Sequence, residues 1–208
     1  MVVNGTSGIM EKAIEDIIMS NRGFVTRKDI DDREIPSIYL SRYARKHGLR
    51  RIARGFYAVE GWIVDPYVVF QYAYPKYIYS FDSAIYLHGL GDILPNYLEV
   101  TGPLNYRPIP RKRDDVIAHT DTVEDSYSLG IAEVATSLGN TVKAYDREKT
   151  ICDLIKHKGK VEFETYAKAL NLYARSPSKD INKLMAYARM LKIEKEVRSQ
   201  MEVLLNAD

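Results

Sequence analysis

The stretch Pro36–Val59, PSIYLSRYARKHGLRRIARGFYAV, decides the fold of the N-terminal part of this chain. It contains six basic residues and no acidic residue. Pro36 suits a first helical turn, because its missing N–H needs no partner there, and Gly48 predicts the end of the helix. Strand-forming residues then flank Arg54-Gly55, which is typical of a tight hairpin turn. The stretch therefore predicts a short cationic helix followed by a cationic β-hairpin.

Two further helices are predicted before this stretch. Apolar residues at helical spacing form one stripe in the first helix, which ends near Gly23; they are Met10, Ala13, Ile14, Ile17 and Ile18. Phe24 and Val25 form a short apolar link. Thr26 and Asp29 have the spacing of a capping box, which begins a second helix at about 27–32. Three helices and a hairpin within about 60 residues predict a winged helix-turn-helix.

The third helix has two faces of different composition. Leu40, Tyr43, Ala44 and His47 share the face expected to pack on the first helix, with Pro36 close by. Ile38, Ser41, Arg42 and Arg45 lie on the opposite face, which lacks the Glu or Asp of an ordinary solvent face. A cationic helix beside a cationic hairpin suits a DNA groove and its flanking phosphates. A solvated face that happens to be basic is the alternative.

Length and charge point to two modules. The chain has 208 residues and a net charge of +2, and Arg22–Val59 alone carries +6, so the remainder carries about −4. This asymmetry favours one module that faces polyanions and a second with another role. The composition changes near 61–66, which predicts domains at 1–62 and 63–208.

Several protein classes are disfavoured. No apolar run approaches the ~20 residues needed to cross a bilayer, and the start lacks the pattern of a secretory signal. The single Cys152 cannot form an internal disulfide, and its apolar helical setting predicts a buried structural thiol. We therefore expect a cytoplasmic protein without a membrane partner.

Residues 63–208 predict a mixed α/β domain that ends in helices, so the fold class is α+β. The predicted elements are a helix from Ser80 to His88, strands at YLEVTGP and 116–119, a hairpin that turns at 138–140, a helix from Asp146 to Gly159, and two closing amphipathic helices around 181–191 and 197–205. Eight of the 16 tyrosines lie between Tyr67 and Tyr106. Core strands are the usual explanation for such a segment, and a base-stacking platform is the alternative.

No recognisable catalytic or metal constellation is present. The chain has no phosphate-binding or dinucleotide-binding glycine motif, and its scattered histidines and single cysteine lack ligand spacing, so we expect no metal and no cofactor. His88 is expected to be a packed or capping histidine. Asp146 and Asp153 share a helix face and could meet a substrate, or they are a helix cap and a half-buried carboxylate. A second basic loop contains Arg107, Arg111, Lys112 and Arg113; it could contact DNA phosphate or a partner, or be a solvated loop.

Four segments in order carry a family resemblance: ARGFYAV, SFDSAIYLHGLGDILPNYLEVTGP, AYDREKTICDLIK and KDINKLMAYARML. They resemble the AbiEi-type antitoxins of bacterial abortive-infection, or type IV toxin–antitoxin, systems, over nearly the whole chain. HGLGDILP and YDREKTICDLI are the most specific parts.

The resemblance implies an antitoxin, not an enzyme, that represses its own operon through the N-terminal winged helix. It also implies that the C-terminal domain counteracts a nucleotidyltransferase-like toxin without a stable complex. The implied DNA role falls on the helix around Ser37–Lys46 and the wing around Arg51–Arg54. The matching C-terminal residues, Asp146, Arg147, Thr150, Cys152 and Asp153, are antitoxicity candidates of undefined chemical role.

We expect sequence-specific binding of double-stranded DNA. Arg42 and Arg45 suit guanine edges, Ser41 a base edge or phosphate, and the hairpin arginines phosphates or the minor groove. Thr26, Arg27 and Lys28 would clamp a phosphate at a helix N-terminus. The full predicted set is Arg27, Lys28, Ser37, Ile38, Ser41, Arg42, Arg45, Lys46, Arg50, Arg51 and Arg54. Operator inverted repeats are expected if two protomers associate on DNA. A nuclease or other nucleic-acid enzyme targeted by a winged helix is the alternative function.

Overall fold

The computed structural model describes residues 3–109, 113–121 and 124–205. The chain divides into two compact units, Met1–Val69 and Phe70–Asp208, so the division lies a few residues beyond the segment where the composition changes. None of the helices described has the length and apolar character needed to cross a bilayer.

Unit 1 combines helices with a small antiparallel sheet. Its elements are α1 (Val3–Ser20), β1 (Phe24–Thr26), α2 (Arg27–Asp31), α3 (Ser37–Lys46), β2 (Arg50–Ala53) and β3 (Phe56–Ala58), followed by α4 (Pro66–Ala73), which continues into unit 2. The strand order is β1-β3-β2. Val25 of β1 and Arg51 of β2 both pair with Tyr57 in the central strand. The segment expected to be a simple link, Phe24 and Val25, is therefore an edge strand.

The core of unit 1 is built from the predicted apolar stripe. Ile14, Ile17 and Ile18 of α1 pack with Ile30 and Leu40 of the next two helices. The capping box is confirmed: Thr26 Oγ1 accepts the Asp29 N–H, and the Asp29 carboxylate accepts the Thr26 N–H at 2.7 Å. These contacts fix α2 between β1 and α3.

Two details of α3 differ from the prediction. Pro36 occupies the N-cap position, one residue before the helix, and it is exposed. His47 is exposed as well and does not pack on α1; it is the C-cap residue, and its ring stacks on Tyr43 at 4.1 Å. The buried face of α3 therefore ends at Ala44, three residues before His47.

Unit 2 is a five-stranded mixed sheet with helices, which confirms a mixed α+β composition. After α4 its elements are β4 (Ile78–Tyr79), α5 (Phe81–Leu87), β5 (Leu98–Gly102), β6 (Val116–Thr120), α6 (Glu124–Ser128), β7 (Ile131–Ala135), β8 (Thr141–Tyr145), α7 (Arg147–Lys156), α8 (Phe163–Arg175), α9 (Ile181–Met190) and α10 (Glu194–Leu205). The strand order is β6-β5-β4-β8-β7. The β5–β6 and β4–β8 pairs are parallel, and the other two pairs are antiparallel.

The helical core of unit 2 surrounds α7. Ile151 and Leu154 of α7 pack in one cluster with Tyr173 of α8, Leu184 of α9 and Val197 of α10. The α7 helix is buried along almost its whole length, and eight of its ten residues are buried. Side chains of α7 that are polar are therefore buried too, and each needs a partner.

The aromatic segment contains a helix where strands were expected. The Asp65 carboxylate accepts the Tyr67 N–H at 3.0 Å, and Pro66 is the first residue of α4. An N-cap aspartate before a proline favours a helix start, and this signal overrides the β propensity of the tyrosines. The core interpretation holds for Tyr77 and Tyr79, which are buried. The α8 helix was not predicted at all.

Candidate functional site

The outward face of α3 is exposed as the wheel predicts. Ile38 is 51% exposed, and Ser41, Arg42 and Arg45 are exposed beside it, whereas Ser37 is half-buried. The opposite face is anchored by Leu40, Tyr43 and Ala44, which are buried. Because the inner face fixes the rotation of the helix, the two arginines project from the same side of unit 1.

The basic residues of unit 1 differ in how their charge is compensated. Lys46 forms an ion pair with Glu11 of α1 at 2.6 Å, and Arg27 forms one with Asp31 at 2.7 Å. By contrast, neither Arg42 nor Arg45 has an ion-pair partner within the described part of the chain. The uncompensated charge on α3 is therefore concentrated on these two side chains.

The β2–β3 hairpin carries three more arginines. Arg54 and Gly55 form the turn, where Gly55 has a φ of +75°. The Arg50 guanidinium donates to the Trp62 carbonyl at 3.1 Å, and Arg51 donates to the Ala53 carbonyl at 3.3 Å. A register shift between Arg51 and Ala53 bends β2 locally. Arg51 and Arg54 remain exposed at the end of the hairpin.

The expected phosphate clamp at the start of α2 is already occupied by the protein. The Arg27 N–H donates to the Gly55 carbonyl at 2.6 Å, and the Asp29 N–H donates to Thr26 Oγ1. The Asp29 carboxylate also lies at this helix end and accepts from Thr26. A carboxylate there would repel a phosphate, so the clamp interpretation is wrong in this respect, although Lys28 remains exposed.

In unit 2, Asp146 is the N-cap residue of α7, as predicted. Its carboxylate accepts the Lys149 N–H at 2.8 Å and the Tyr187 hydroxyl at 3.1 Å, and it pairs with Lys183 at 2.9 Å. The Thr150 hydroxyl donates to the Asp146 carbonyl at 2.8 Å. Two of the antitoxicity candidates are therefore engaged in starting one helix.

Arg147 joins the beginning of α7 to two neighbouring segments. Its guanidinium donates to the Ser176 hydroxyl at 3.3 Å, to the Ser178 hydroxyl, and to the His88 carbonyl at 3.3 Å. The His88 ring in turn contacts the Tyr145 carbonyl at 2.7 Å, and burial lowers the His88 pKa. His88 is the C-cap residue of α5, so its predicted packed or capping role is confirmed.

Asp153 forms an ion pair with Lys149, a residue that no sequence motif indicates. The Lys149 ammonium donates to both Asp153 oxygens, at 2.6 and 2.7 Å, and it lies 4.2 Å from the centre of the Tyr145 ring. Lys149 is 1% exposed. Burial raises the pKa of Asp153, and the Lys149 charge opposes that rise. Neither proposed role for Asp153, a substrate contact or a half-buried carboxylate, describes this buried ion pair.

Cys152 is a buried structural thiol, as predicted. It is fully buried in the helical core, and burial raises the pKa of its thiol to about 12. A thiol with such a pKa is protonated at neutral pH and is a poor nucleophile.

Little of the second basic loop can be assigned. Arg107 is exposed, whereas Arg113 is paired with the Asp115 carboxylate and lies over the Phe70 ring at 5.8 Å. Arg111 and Lys112 lie outside the described residues. Within 3–109, 113–121 and 124–205, no group of three or more His, Cys, Asp or Glu side chains could hold a metal ion.

Comparisons with known proteins bear on both units. No curated protein matches the chain. Its structure is similar to the crystal structure of the RV2827C protein from Mycobacterium tuberculosis, with a TM-score of 0.50 at 15% identity, over 95% of this chain and 80% of that chain. At this identity the similarity concerns the fold alone. Residues 12–59 match the family described as "Transcriptional regulator, AbiEi antitoxin". The N-terminal segment of this chain therefore matches the AbiEi antitoxin family of transcriptional regulators, which confirms the resemblance over residues 12–59; the three segments that carry the resemblance in unit 2 lie outside the match.

Proposed function

We propose that this chain is the antitoxin of a type IV toxin–antitoxin system and represses its own operon. In this proposal α1–α3 and the β1–β3 sheet act as a winged helix-turn-helix. The α3 helix enters the major groove of inverted-repeat operator DNA, and unit 2 counteracts a nucleotidyltransferase-like toxin without forming a stable complex. The match of residues 12–59 to a family of transcriptional regulators supports the proposed repressor role.

The exposed face of α3 is the observation that carries the DNA-binding proposal. Arg42 and Arg45 stand on it without an ion-pair partner among the residues described. A guanidinium can bond O6 and N7 of a guanine together. An arginine already paired with a carboxylate would first have to give up that contact, as Arg27 would. The two arginines of α3 are therefore the side chains best able to contact base edges.

The hairpin supplies a second set of positive charges for phosphates. Arg51 and Arg54 are exposed at its end, and the local bend at the Arg51–Ala53 register shift turns the strand away from a flat path. Phosphate contacts position a protein on DNA but do not distinguish sequences. We assign Arg51 and Arg54 to contacts with the DNA phosphates on either side of the groove that α3 enters.

Binding of labelled DNA from the region upstream of the chain's own gene tests this assignment. Footprinting first locates the operator, and fluorescence anisotropy then measures affinity as a function of salt. Arg45→Ala should weaken operator binding by about 1–3 kcal/mol and relax the base preference. Arg51→Ala should weaken binding to all sequences and reduce the salt slope by about 1.

Arg175 provides the matched control. It is an exposed arginine at the end of α8 in unit 2, so Arg175→Ala removes the same charge from a surface with no assigned DNA contact. Equal affinities of the Arg45→Ala and Arg175→Ala proteins for the operator would contradict the proposed role of α3.

The antitoxin role is tested separately from repression by growth rescue. The toxin is expressed from an independent promoter, together with full-length variants of this chain at matched protein levels. An Arg42→Ala, Arg45→Ala double variant should lose repression but retain rescue, because the proposed antitoxin function lies in unit 2. Loss of rescue in that variant would count against the assignment to unit 2.

Asp146 allows a charge effect to be separated from a helix-capping effect. Asn and Asp are comparable N-cap residues, so Asp146→Asn keeps an acceptor for the Lys149 N–H and removes the charge that faces Lys183. Reduced rescue by a folded Asp146→Asn protein would support a role of that charge in antitoxicity. Full rescue would make Asp146 a structural residue.

A further inference from the structure

A polar cleft of about 240 Å³ opens in unit 2 beside the second half of α7. One wall is formed by α7 and the turn that follows it, with Lys149, Asp153, Lys156, His157 and Lys160. The opposite wall comes from the ends of β5 and β6, with His119 and Asp121. Neither the proposed DNA-binding surface nor the helix cap at Asp146 includes this cleft.

The deep part of the cleft is electrically compensated. The Lys149–Asp153 pair is buried there, and on the opposite wall His119 contacts Glu99 at 2.6 Å. Asp121 also lines the cleft. Its negative charge raises the pKa values of Asp153 and Tyr145. Apart from these pairs, the interior presents the Asp121 carboxylate, which suits the hydroxyl groups of a ligand.

The mouth of the cleft carries uncompensated positive charge. Lys156 and Lys160 are exposed, and neither has an ion-pair partner in the part of the chain that the structure describes. His157 lies between them in sequence. Its pKa is lowered to about 4, first by burial and then by Lys160, Lys156, Lys149 and His119. The exposed Lys156 and Lys160 therefore place positive charge on both sides of His157 at the mouth.

Phe81 connects the two walls in a strained backbone conformation. It has a φ of +44° and is 3% exposed. Its ring contacts His119 at 4.7 Å and His157 at 5.8 Å, and the Lys160 ammonium lies 5.6 Å from its centre. A positive φ is rare for an aromatic residue, and such strain is retained mainly where the surroundings fix it, often at ligand sites. The Phe81 ring therefore gives the two imidazoles and Lys160 a common aromatic contact surface.

We propose that this cleft binds the phosphoryl group of a small phosphorylated ligand. The phosphoryl oxygens lie at the mouth, where Lys156 and Lys160 supply charge and the His157 ring supplies a hydrogen bond. The rest of the ligand enters toward Asp121, whose carboxylate accepts from sugar hydroxyls and repels a second phosphate. The volume is below the roughly 300–1,000 Å³ of pockets for drug-sized ligands, which favours a sugar monophosphate over a nucleoside triphosphate.

Titration of the full-length protein with defined probes tests the proposal. The probes are inorganic phosphate, ribose 5-phosphate, adenosine monophosphate and unphosphorylated ribose, and binding is followed by calorimetry and by the NMR signals of His157 and His119. Saturable binding of the phosphorylated probes, without binding of ribose, is the expected result. Tighter binding of ribose 5-phosphate than of inorganic phosphate identifies an organic phosphate as the ligand; equal binding identifies the free ion.

Two lysine variants provide the structural control. The Lys156→Ala, Lys160→Ala double variant should weaken phosphate binding at least tenfold. Lys158→Ala should leave it unchanged, because Lys158 is exposed in the same turn but does not line the cleft; its ammonium lies 5.8 Å from the Tyr166 ring. The proposal is overturned if no phosphorylated probe binds saturably to the wild type, if ribose binds as tightly as ribose 5-phosphate, or if Lys158→Ala weakens binding as much as the double variant.

Discussion

The buried Lys149–Asp153 pair gives the sharpest prediction about the stability of unit 2. Lys149→Met leaves the Asp153 carboxylate without the two hydrogen bonds of 2.6 and 2.7 Å, and Asp153→Leu leaves the Lys149 ammonium unpaired at 1% exposure. Removing one partner of a buried pair costs about 3–5 kcal/mol, because the other charge stays buried without compensation. The Lys149→Met, Asp153→Leu double variant removes both charges and should lie within about 1–2 kcal/mol of the wild type.

Urea unfolding followed by far-ultraviolet circular dichroism measures these free energies of unfolding. The fluorescence of Trp62, the single tryptophan, reports unit 1, where its ring packs 5.4 Å from Phe24, and so separates local from general effects. Lys168→Met is the matched control, because it breaks the exposed Lys168–Asp92 pair of 2.7 Å and should cost less than about 1 kcal/mol. Single variants within 1 kcal/mol of the wild type, or additive effects in the double variant, would refute the reasoning.

The Lys149→Met protein should also respond to pH in a defined direction. Burial already raises the pKa of Asp153, and loss of the lysine charge raises it further. A carboxyl whose pKa is higher in the folded than in the unfolded state takes up its proton first in the folded state. The cost of Lys149→Met should therefore be largest near neutral pH and should decrease as the pH falls; an unchanged cost at acidic pH would speak against a buried, charged Asp153.

Three further perturbations test other parts of the structure. Gly130→Ala should destabilise unit 2 by more than about 2 kcal/mol, since φ is +73° there and a Cβ would lie 2.7 Å from the Lys149 side chain; a stable variant would contradict that packing. Thr26→Ala should cost about 1 kcal/mol in urea unfolding by removing the cap that Asp29 shares, and no loss would mean that the cap is dispensable. The His157 pKa of about 4 lies below the ordinary 6.5, so the unfolded state takes up the proton first. His157 therefore contributes about 1–2 kcal/mol to the free energy of unfolding, after allowance for solvent screening. This contribution is present above pH 6.5 and is lost as the pH falls toward 4. His157→Gln should remove that part of the pH dependence of stability, and an unchanged pH profile would argue against it.

Unit 1 was predictable because its signals are local. The capping box at Thr26 and Asp29 and the turn at Gly55 each involve residues close together in sequence. The apolar stripe of α1 and the two faces of α3 follow helical spacing, so burial could be assigned without knowing the neighbours. His47 was misplaced because it lies where the helix ends, and helical spacing no longer applies there.

Unit 2 depends on contacts that its sequence does not reveal. Lys149 and Asp153 have the i, i+4 spacing of an ordinary exposed ion pair on a helix, and only the packing of α8, α9 and α10 around α7 makes the pair buried. The cleft brings together residues that are up to 79 positions apart, from Phe81 to Lys160. The signal for the start of α4 at Asp65-Pro66 is local, but it competes with the β propensity of the tyrosines that follow.

The structure changes which residues can inform on antitoxin activity. Asp146 and Thr150 start α7, Arg147 ties it to two other segments, and Asp153 neutralises a buried lysine. Alanine substitution of any of them perturbs the helix around which unit 2 is built, so loss of rescue by such a variant would follow from misfolding alone. Lys156 lies at the far end of the same motif and Lys160 lies in the turn that follows it; both are exposed, so their removal leaves the core intact. A loss of rescue in the Lys156→Ala, Lys160→Ala protein, with unfolding unchanged, would therefore place antitoxicity at the cleft; full rescue would separate ligand binding from it.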